Sequence, residues 1–233
     1  CPYLCRYCVS GTQFGKIRNF SFERLKEEVY YLQENAKNRF LRFSDDNFGI
    51  VQHDVDVANF IRSNFEEKKY PAGLKVYSAK KQTDRVREVG KILKPLMAYI
   101  VSFQTTTKSV LKETKRVSAK HKEAVESIDF CRKHGLSTGT ELIFGLPGES
   151  LDSWREVINT TMGYGFDSIS MNPLWLLKGS DLNRPEIREE NEYIGKFMLA
   201  ENAVTSHEDL LSIERDEIAV ASKYYTFDDW KIF

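Results

Sequence analysis

The sequence predicts an α/β fold, a partial (β/α)6 TIM-like barrel whose first strand is missing from these 233 residues. Apolar residues alternate about five times between helical spacing and short strand-like runs, which is typical of a parallel sheet with right-handed crossovers. The length suits a single α/β barrel of roughly 200 to 250 residues. Because the chain opens directly on Cys1, we expect it to be a fragment, and a strand before Cys1 would complete six units.

The predicted helices carry apolar residues three or four positions apart. In the first of them, Phe22, Leu25 and Val29 follow Ser21, a favourable N-cap residue. The same spacing recurs in later segments, so helices are expected around residues 22–32, 57–65, 86–93, 124–131 and 154–162.

Short apolar runs between these helices predict the strands, at residues 40–43, 74–78, 97–103, 141–144 and 167–174. The run 97–103 is apolar nearly throughout, as expected of a parallel strand buried on both faces. In such folds the chemistry collects where the strands end. The alternation stops after about Asn183, so we expect a core over residues 1–182 and a charged helical tail over 183–233.

Composition narrows the classes of function. Lys and Arg total 34 and Asp and Glu total 34, so the chain lacks the basic excess of a nucleic-acid-binding surface. No apolar run approaches the roughly 20 residues of a membrane span, and no signal segment opens the chain. Three of the four cysteines lie within the first eight residues, which does not suit a disulfide framework and favours a reducing, cytoplasmic location.

The cysteine cluster is the most informative stretch. Cys1, Cys5 and Cys8 lie close enough in sequence to converge on one metal centre from a loop. A structural zinc site or an electron-transfer iron–sulfur cluster usually takes four ligands, whereas three leave one position open for a cofactor or substrate. Cys131 could supply a fourth ligand and close a zinc site, but it shares an apolar helical face with Ile128, which favours packing.

The spacing Cys-x-x-x-Cys-x-x-Cys, with the aromatic Tyr7 before the third cysteine, resembles the signature of the radical S-adenosylmethionine (SAM) superfamily. The resemblance implies that Cys1, Cys5 and Cys8 hold a 4Fe-4S cluster whose fourth iron binds SAM. It also implies reductive cleavage of SAM to methionine and a 5′-deoxyadenosyl radical, driven by a reductant such as flavodoxin or ferredoxin. Tyr7 would lie against the adenine.

Later strand ends match the family in the same order. Ser44 begins the turn that stands where the family has a Gly-Gly-Glu-like turn for the ammonium group of SAM, although the glycines are absent. Gln104 and Thr105 match a segment that can hydrogen-bond a ribose hydroxyl or carboxylate. Ile143 and Gly145 match the Ile-x-Gly segment beside the adenine, where a glycine allows close approach of the backbone.

Two stretches, 43–48 and 145–149, resemble the radical SAM class whose members carry an N-terminal cobalamin-binding domain. This resemblance implies a cobalamin-dependent methyl transfer or rearrangement on a small molecule, with a cobalamin-binding domain upstream of residue 1. A cobalamin-independent enzyme, such as a tRNA methylthiotransferase, is the alternative within the superfamily. A structural zinc-binding module is the alternative of another class.

Asp45 and Asp46 are the candidate catalytic residues. They are adjacent carboxylates at the end of a buried strand, where successive side chains point to opposite sides. One of them is therefore expected to face the mouth of the barrel, near the cationic groups of SAM and any substrate, where it could accept hydrogen bonds or a proton. The bland alternative is a solvated acidic turn.

Overall fold

A computed structural model describes residues 1–10, 16–116, 121–199 and 215–232. The first part of the chain alternates helix and strand: α1 (Phe22–Asn35), β1 (Phe40–Arg42), α2 (Gln52–Lys68), β2 (Gly73–Lys75), α3 (Asp84–Ile92), β3 (Tyr99–Ile100), α4 (Lys108–Glu113), α5 (His121–His134), β4 (Thr138–Phe144), α6 (Leu151–Tyr164) and β5 (Ser168–Pro173). The remainder comprises a 3₁₀ turn (Asp181–Asn183), α7 (Pro185–Asn191), β6 (Ile194–Leu199), β7 (Arg215–Ala221) and α8 (Phe227–Trp230).

The parallel strands form the predicted partial barrel. β1 pairs with β2, and β3, β4 and β5 form a second parallel group in that order. The Leu74 amide of β2 donates to the carbonyl oxygen of Leu96, just before β3, at 2.8 Å, and this bond links the two groups. All five predicted strands are therefore present, in sequence order and parallel.

Helix caps follow the local signals in the sequence. The Ser21 hydroxyl accepts a hydrogen bond from the Arg24 amide, and the Ser150 hydroxyl accepts one from the Ser153 amide. Helix α5 is followed by Gly135, whose φ of 63° is the left-handed conformation that favours glycine. Because these caps need only nearby residues, sequence reasoning locates them well.

The apolar faces of these elements pack into three clusters among the described residues. Cys131 is fully buried in the cluster that includes Val101, Ala124 and Phe144, so its predicted packing role is confirmed. Burial raises the pKa of the Cys131 thiol to about 12, which keeps it protonated and inert.

The prediction of a helical tail over residues 183–233 is wrong for 183–199 and 215–232, and the rest of that range lies outside the described residues. Strands β6 and β7 pair antiparallel, and β7 continues onto the sheet because the Ala219 amide donates to the Leu174 oxygen at 2.9 Å. Tyr193 and Ala219 share an apolar cluster with Leu146 and Leu174, so the segment belongs to the core of the barrel. The strands form because the end of β5 supplies a pairing partner distant in sequence, which helical spacing alone does not reveal.

Within the described ranges, no helix is both long and apolar enough to cross a membrane.

Candidate active site

The cysteine loop, residues 1–10, is fixed by backbone contacts near the ends of the strands. The Arg6 amide donates to the Thr114 oxygen just after α4, and the Arg6 oxygen accepts from the Leu182 amide. The Arg6 guanidinium forms ion pairs with Glu113 and Asp181. These contacts hold the middle of the loop between two distant parts of the chain.

Cys5 lies between two cations. Its side chain is only 3% exposed, and its sulfur accepts hydrogen bonds from Lys80 Nζ at 3.2 Å and from the Arg116 guanidinium at 4.0 Å. Burial opposes ionisation of Cys5, but the charges of Lys80 and Arg116 outweigh it and lower the pKa of the thiol. The thiolate, which is the form that binds metal, therefore forms more readily at this position than in an ordinary cysteine.

Cys1 and Cys8 are half-buried on the same loop, and the Cys8 sulfur accepts a hydrogen bond from the Ser10 amide at 3.4 Å. In the part of the chain that the structure describes, no group of three His, Cys, Asp or Glu side chains has an arrangement that could hold a metal ion. The donor chemistry nevertheless suits an iron–sulfur cluster, because one short loop carries three thiols and two cations offset their negative charge. The joint ligand role of Cys1, Cys5 and Cys8 stays a prediction.

Tyr7 and Ile143 lie beside the same apolar cluster, which contains Leu146 and Leu174. Burial raises the pKa of the Tyr7 hydroxyl well above its ordinary value, so Tyr7 is neutral. The fold thus brings together two residues, 136 positions apart in the printed numbering, that sequence comparison assigned to the adenine. Their contact with a cofactor stays a prediction.

The acidic turn after β1 borders a cavity of about 590 Å³, which Ser44, Asp45 and Asp46 line together with Cys1. Ser44 and Asp46 are exposed, whereas Asp45 is half-buried and its carboxylate accepts the Asn47 amide at 2.7 Å. Burial raises the pKa of Asp45. The two carboxylates therefore differ in environment, and Asp45 is the more enclosed of the pair.

Gln104 and Thr105 follow β3. Gln104 has a φ of 67°, and its backbone exchanges hydrogen bonds with β4, to the Glu141 oxygen and from the Ile143 amide, each at 2.8 Å. The Thr105 hydroxyl donates to Glu149 at 3.1 Å and accepts from the Thr107 amide at 3.2 Å. The Thr105 hydroxyl is therefore bonded within the protein to the buried Glu149, and its predicted contact with SAM stays a prediction.

Gly145 is approached closely by another part of the protein. Its φ is 94°, and a Cβ atom at this position would lie 2.6 Å from the Tyr225 hydroxyl. The Tyr193 hydroxyl donates to the Gly145 oxygen at 3.2 Å. The glycine thus suits both its φ and the close approach of Tyr225, and its predicted place beside the adenine stays a prediction.

Sequence reasoning missed two residues. Only the fold identifies Lys80 as a site residue, because it places Lys80 against Cys5. Its position just after the predicted strand 74–78 was a signal that it could lie at the site. Glu149 is fully buried, its second carboxylate oxygen has no partner in the described part of the chain, and burial raises its pKa to about 8. A glutamate in a Gly-Leu-Pro-Gly loop gave no hint of such burial.

Comparison with known proteins identifies the family. Residues 1–161 match the family described as the Radical SAM superfamily. The chain is 30% identical over 203 residues to the cobalamin-dependent radical SAM methyltransferase TokK of Streptomyces tokunonensis, covering 82% of this chain and 28% of that protein. It is also 30% identical over 192 residues to a 2-(S-pantetheinyl)-carbapenam-3-carboxylate methyltransferase of Streptantibioticus cattleyicolor, covering 80% of this chain and 28% of that protein.

A solved structure supports the fold. The radical SAM methyltransferase TsrM of Kitasatospora setae, determined with cobalamin and a 4Fe-4S cluster bound, superposes with a TM-score of 0.66 at 17% identity, over 87% of this chain and 41% of TsrM. The present chain thus spans well under half of each of these relatives.

Proposed function

The chain belongs to the radical SAM superfamily, and from this premise we propose that it is the catalytic core of a cobalamin-dependent methyltransferase acting on a small molecule. The observation that carries the proposal is the 30% identity to TokK, which extends over 82% of this chain. A cobalamin-binding domain upstream of residue 1 is part of the proposal, as is a one-electron reductant such as flavodoxin or ferredoxin.

Cys1, Cys5 and Cys8 would hold the 4Fe-4S cluster. When bound, the cluster supplies the electron for reductive cleavage of SAM. The chain contributes a buried position for Cys5, two cations beside its sulfur, and a loop fixed at Arg6. Burial of this kind excludes water from the reactive centre and strengthens the electrostatic interactions inside it.

The neighbouring side chains would orient SAM. Tyr7 and Ile143 border one apolar cluster and would pack against the adenine. Gln104 has its backbone committed to β4, which leaves the carboxamide to hydrogen-bond the ribose or the carboxylate of SAM. Asp45 borders the cavity beside Cys1, where its carboxylate could accept a proton or a hydrogen bond from substrate.

Anaerobic reconstitution with iron and sulfide tests this function. The proposal requires a brown protein with four irons per chain that binds SAM and, once reduced, releases 5′-deoxyadenosine. A colourless protein with one tightly bound zinc would instead support a structural zinc module. Product analysis by mass spectrometry separates the alternatives within the superfamily: transfer of a methyl group that requires cobalamin supports the methyltransferase, and insertion of sulfur without cobalamin supports a methylthiotransferase.

A further inference from the structure

Lys80 occupies a fixed position beside the cysteine loop. It follows Ala79, whose amide donates to the Phe48 oxygen at 3.0 Å and whose oxygen accepts from the Gln82 side chain at 3.1 Å. From this anchored backbone the half-buried Lys80 side chain extends to Cys5, with Nζ 3.2 Å from the sulfur. The ammonium group also lies 5.2 Å from the centre of the Tyr3 ring.

The contacts of Lys80 are unusual for a lysine. Across residues 1–10, 16–116, 121–199 and 215–232, no carboxylate forms an ion pair with it. The sulfur of Cys5 is therefore the acceptor for the Lys80 ammonium group. Arg116 also faces this sulfur, but from 4.0 Å, and its guanidinium donates in addition to the Ser102 oxygen. Lys80 thus makes the shorter of the two hydrogen bonds to the Cys5 sulfur, and Arg116 divides its donors between that sulfur and a backbone oxygen.

We propose that Lys80 raises the reduction potential of the iron–sulfur cluster by hydrogen-bonding the Cys5 sulfur. The inference rests on the proposed function, because it takes Cys5 as a cluster ligand. Reduction adds a negative charge to the cluster, and that charge spreads onto the ligand sulfurs. A positive charge and an N–H donor at a ligand sulfur stabilise the reduced form more than the oxidised form, and hydrogen bonds to the sulfurs are known to set cluster potentials.

Lys80 is accordingly a positioning and tuning residue. It acts through Cys5 and need not contact SAM or substrate. Lys80 would make the cluster easier for a protein donor to reduce. The potential would be raised by one side chain that follows β2, with no change in the ligands of the cluster.

The test is a redox titration of the reconstituted protein, followed by the electron paramagnetic resonance signal of the reduced cluster. Lys80→Met removes charge and donor while keeping most of the side-chain volume, and we expect its midpoint potential to shift to a more negative value. Lys80→Arg retains both properties and should lie near the parent. Lys81→Met is the matched control, because Lys81 is the adjacent lysine and is exposed. It should leave the potential unchanged.

A parent-like potential in a fully loaded Lys80→Met protein would overturn the inference, as would weaker SAM binding with no change in potential, which would assign Lys80 to the cofactor. If Lys80→Met does not hold a full cluster, Lys80→Leu, which also lacks the charge and the N–H donor, is compared with Lys80→Arg, and equal potentials overturn the inference. Failure of the parent protein to form a cluster would contradict the proposed function itself, so the two failures are distinguishable.

Discussion

Two sides of the strand ends differ in how their polar groups are paired. The cysteine side comprises the loop 1–10, the acidic turn 44–46 and Lys80, and the glycine side comprises residues 104–105 and 143–149. On the cysteine side, Cys5 meets two cations and Asp45 borders a cavity of about 590 Å³. On the glycine side, Thr105 is bonded to Glu149 and Gly145 is covered by Tyr225.

The contrast is between groups that we propose bind a ligand and groups that are bonded within the protein. The lowered pKa of Cys5 and the position of Asp45 at a cavity suit groups that would bind a ligand. A buried hydroxyl that donates to a buried carboxyl, as Thr105 does to Glu149, is bonded within the protein. The same family resemblance covers both sides, so only the contacts distinguish the two roles.

The largest expected effect is on the cysteine side. Replacing Cys1, Cys5 or Cys8 singly by Ala should abolish cluster assembly and SAM cleavage, because a methyl group cannot replace a thiolate ligand. The matched control is Cys131→Ala, which should keep both and lose only about 1 kcal/mol of stability to the resulting cavity. Iron and sulfide analysis of the four variants decides the matter. Cluster loss in the Cys131 variant would contradict a three-ligand site.

The acidic turn gives the next effect. Asp45→Asn keeps an oxygen to accept the Asn47 amide but loses the charge, and we expect 5′-deoxyadenosine formation to fall about a hundredfold or more, as for the loss of an acid–base group. The exposed Asp46→Asn should be mild. Cluster loading, measured by absorbance, should stay near normal in both. If both variants turn over like the parent, the acidic turn is only a solvated turn without a catalytic role.

Glu149, on the glycine side, should make the free energy of unfolding depend on pH. Burial raises its pKa to about 8 in the folded state, so the folded protein binds a proton that the unfolded chain releases above its ordinary pKa. The stabilisation is present below that ordinary value and is lost as pH rises towards 8. Between pH 5.5 and 8 the parent should lose about 3 kcal/mol relative to Glu149→Gln.

Urea unfolding at both pH values measures this difference. The matched control is Glu156→Gln, an exposed glutamate on α6, which should follow the parent at both pH values. If Glu149→Gln shows the same pH dependence as the parent, Glu149 is ionised in the folded protein, and the idea of a self-satisfied neutral contact with Thr105 fails.

Gly145 tests whether the tyrosine contact is structural. Gly145→Ala should lose about 2 kcal/mol of unfolding free energy, because φ is 94° and the added Cβ meets the Tyr225 hydroxyl. Removing that hydroxyl in the double variant with Tyr225→Phe should recover part of the loss. Gly163→Ala on α6 is the control, since its Cβ meets nothing within 4 Å, and it should stabilise slightly. A Gly145→Ala protein as stable as the parent would refute the close approach.

The smallest expected effect concerns Gln104, which lies on the glycine side but is assigned to the cofactor. Gln104→Ala should weaken SAM binding by about 1 to 2 kcal/mol, the cost of a lost polar contact, and should leave cluster content unchanged. Titration of SAM into reconstituted protein measures the affinity. An unaltered affinity would remove Gln104 from the SAM site.

Sequence reasoning found most of the framework, and for a definite reason. The five parallel strands, the caps at Ser21 and Ser150 and the packing of Cys131 all depend on apolar spacing or on neighbours within a few residues. It failed over residues 183–233, because β6 and β7 exist through pairing with each other and with the end of β5. Long-range pairing leaves little trace in a short window of sequence.

The sequence by itself determined the order of elements, the cysteine spacing and the family, since each is a local pattern that needs no folding to be read. Only the tertiary structure decided that Lys80 and Arg116 face the Cys5 sulfur. It also decided that Glu149 accepts a hydrogen bond from the Thr105 hydroxyl and that Tyr225 covers Gly145. The physical reason is that the charge, hydrogen bonding and burial of a side chain are set by residues 44 to 111 positions away. Only the packing of strands and loops brings such residues within a few ångströms.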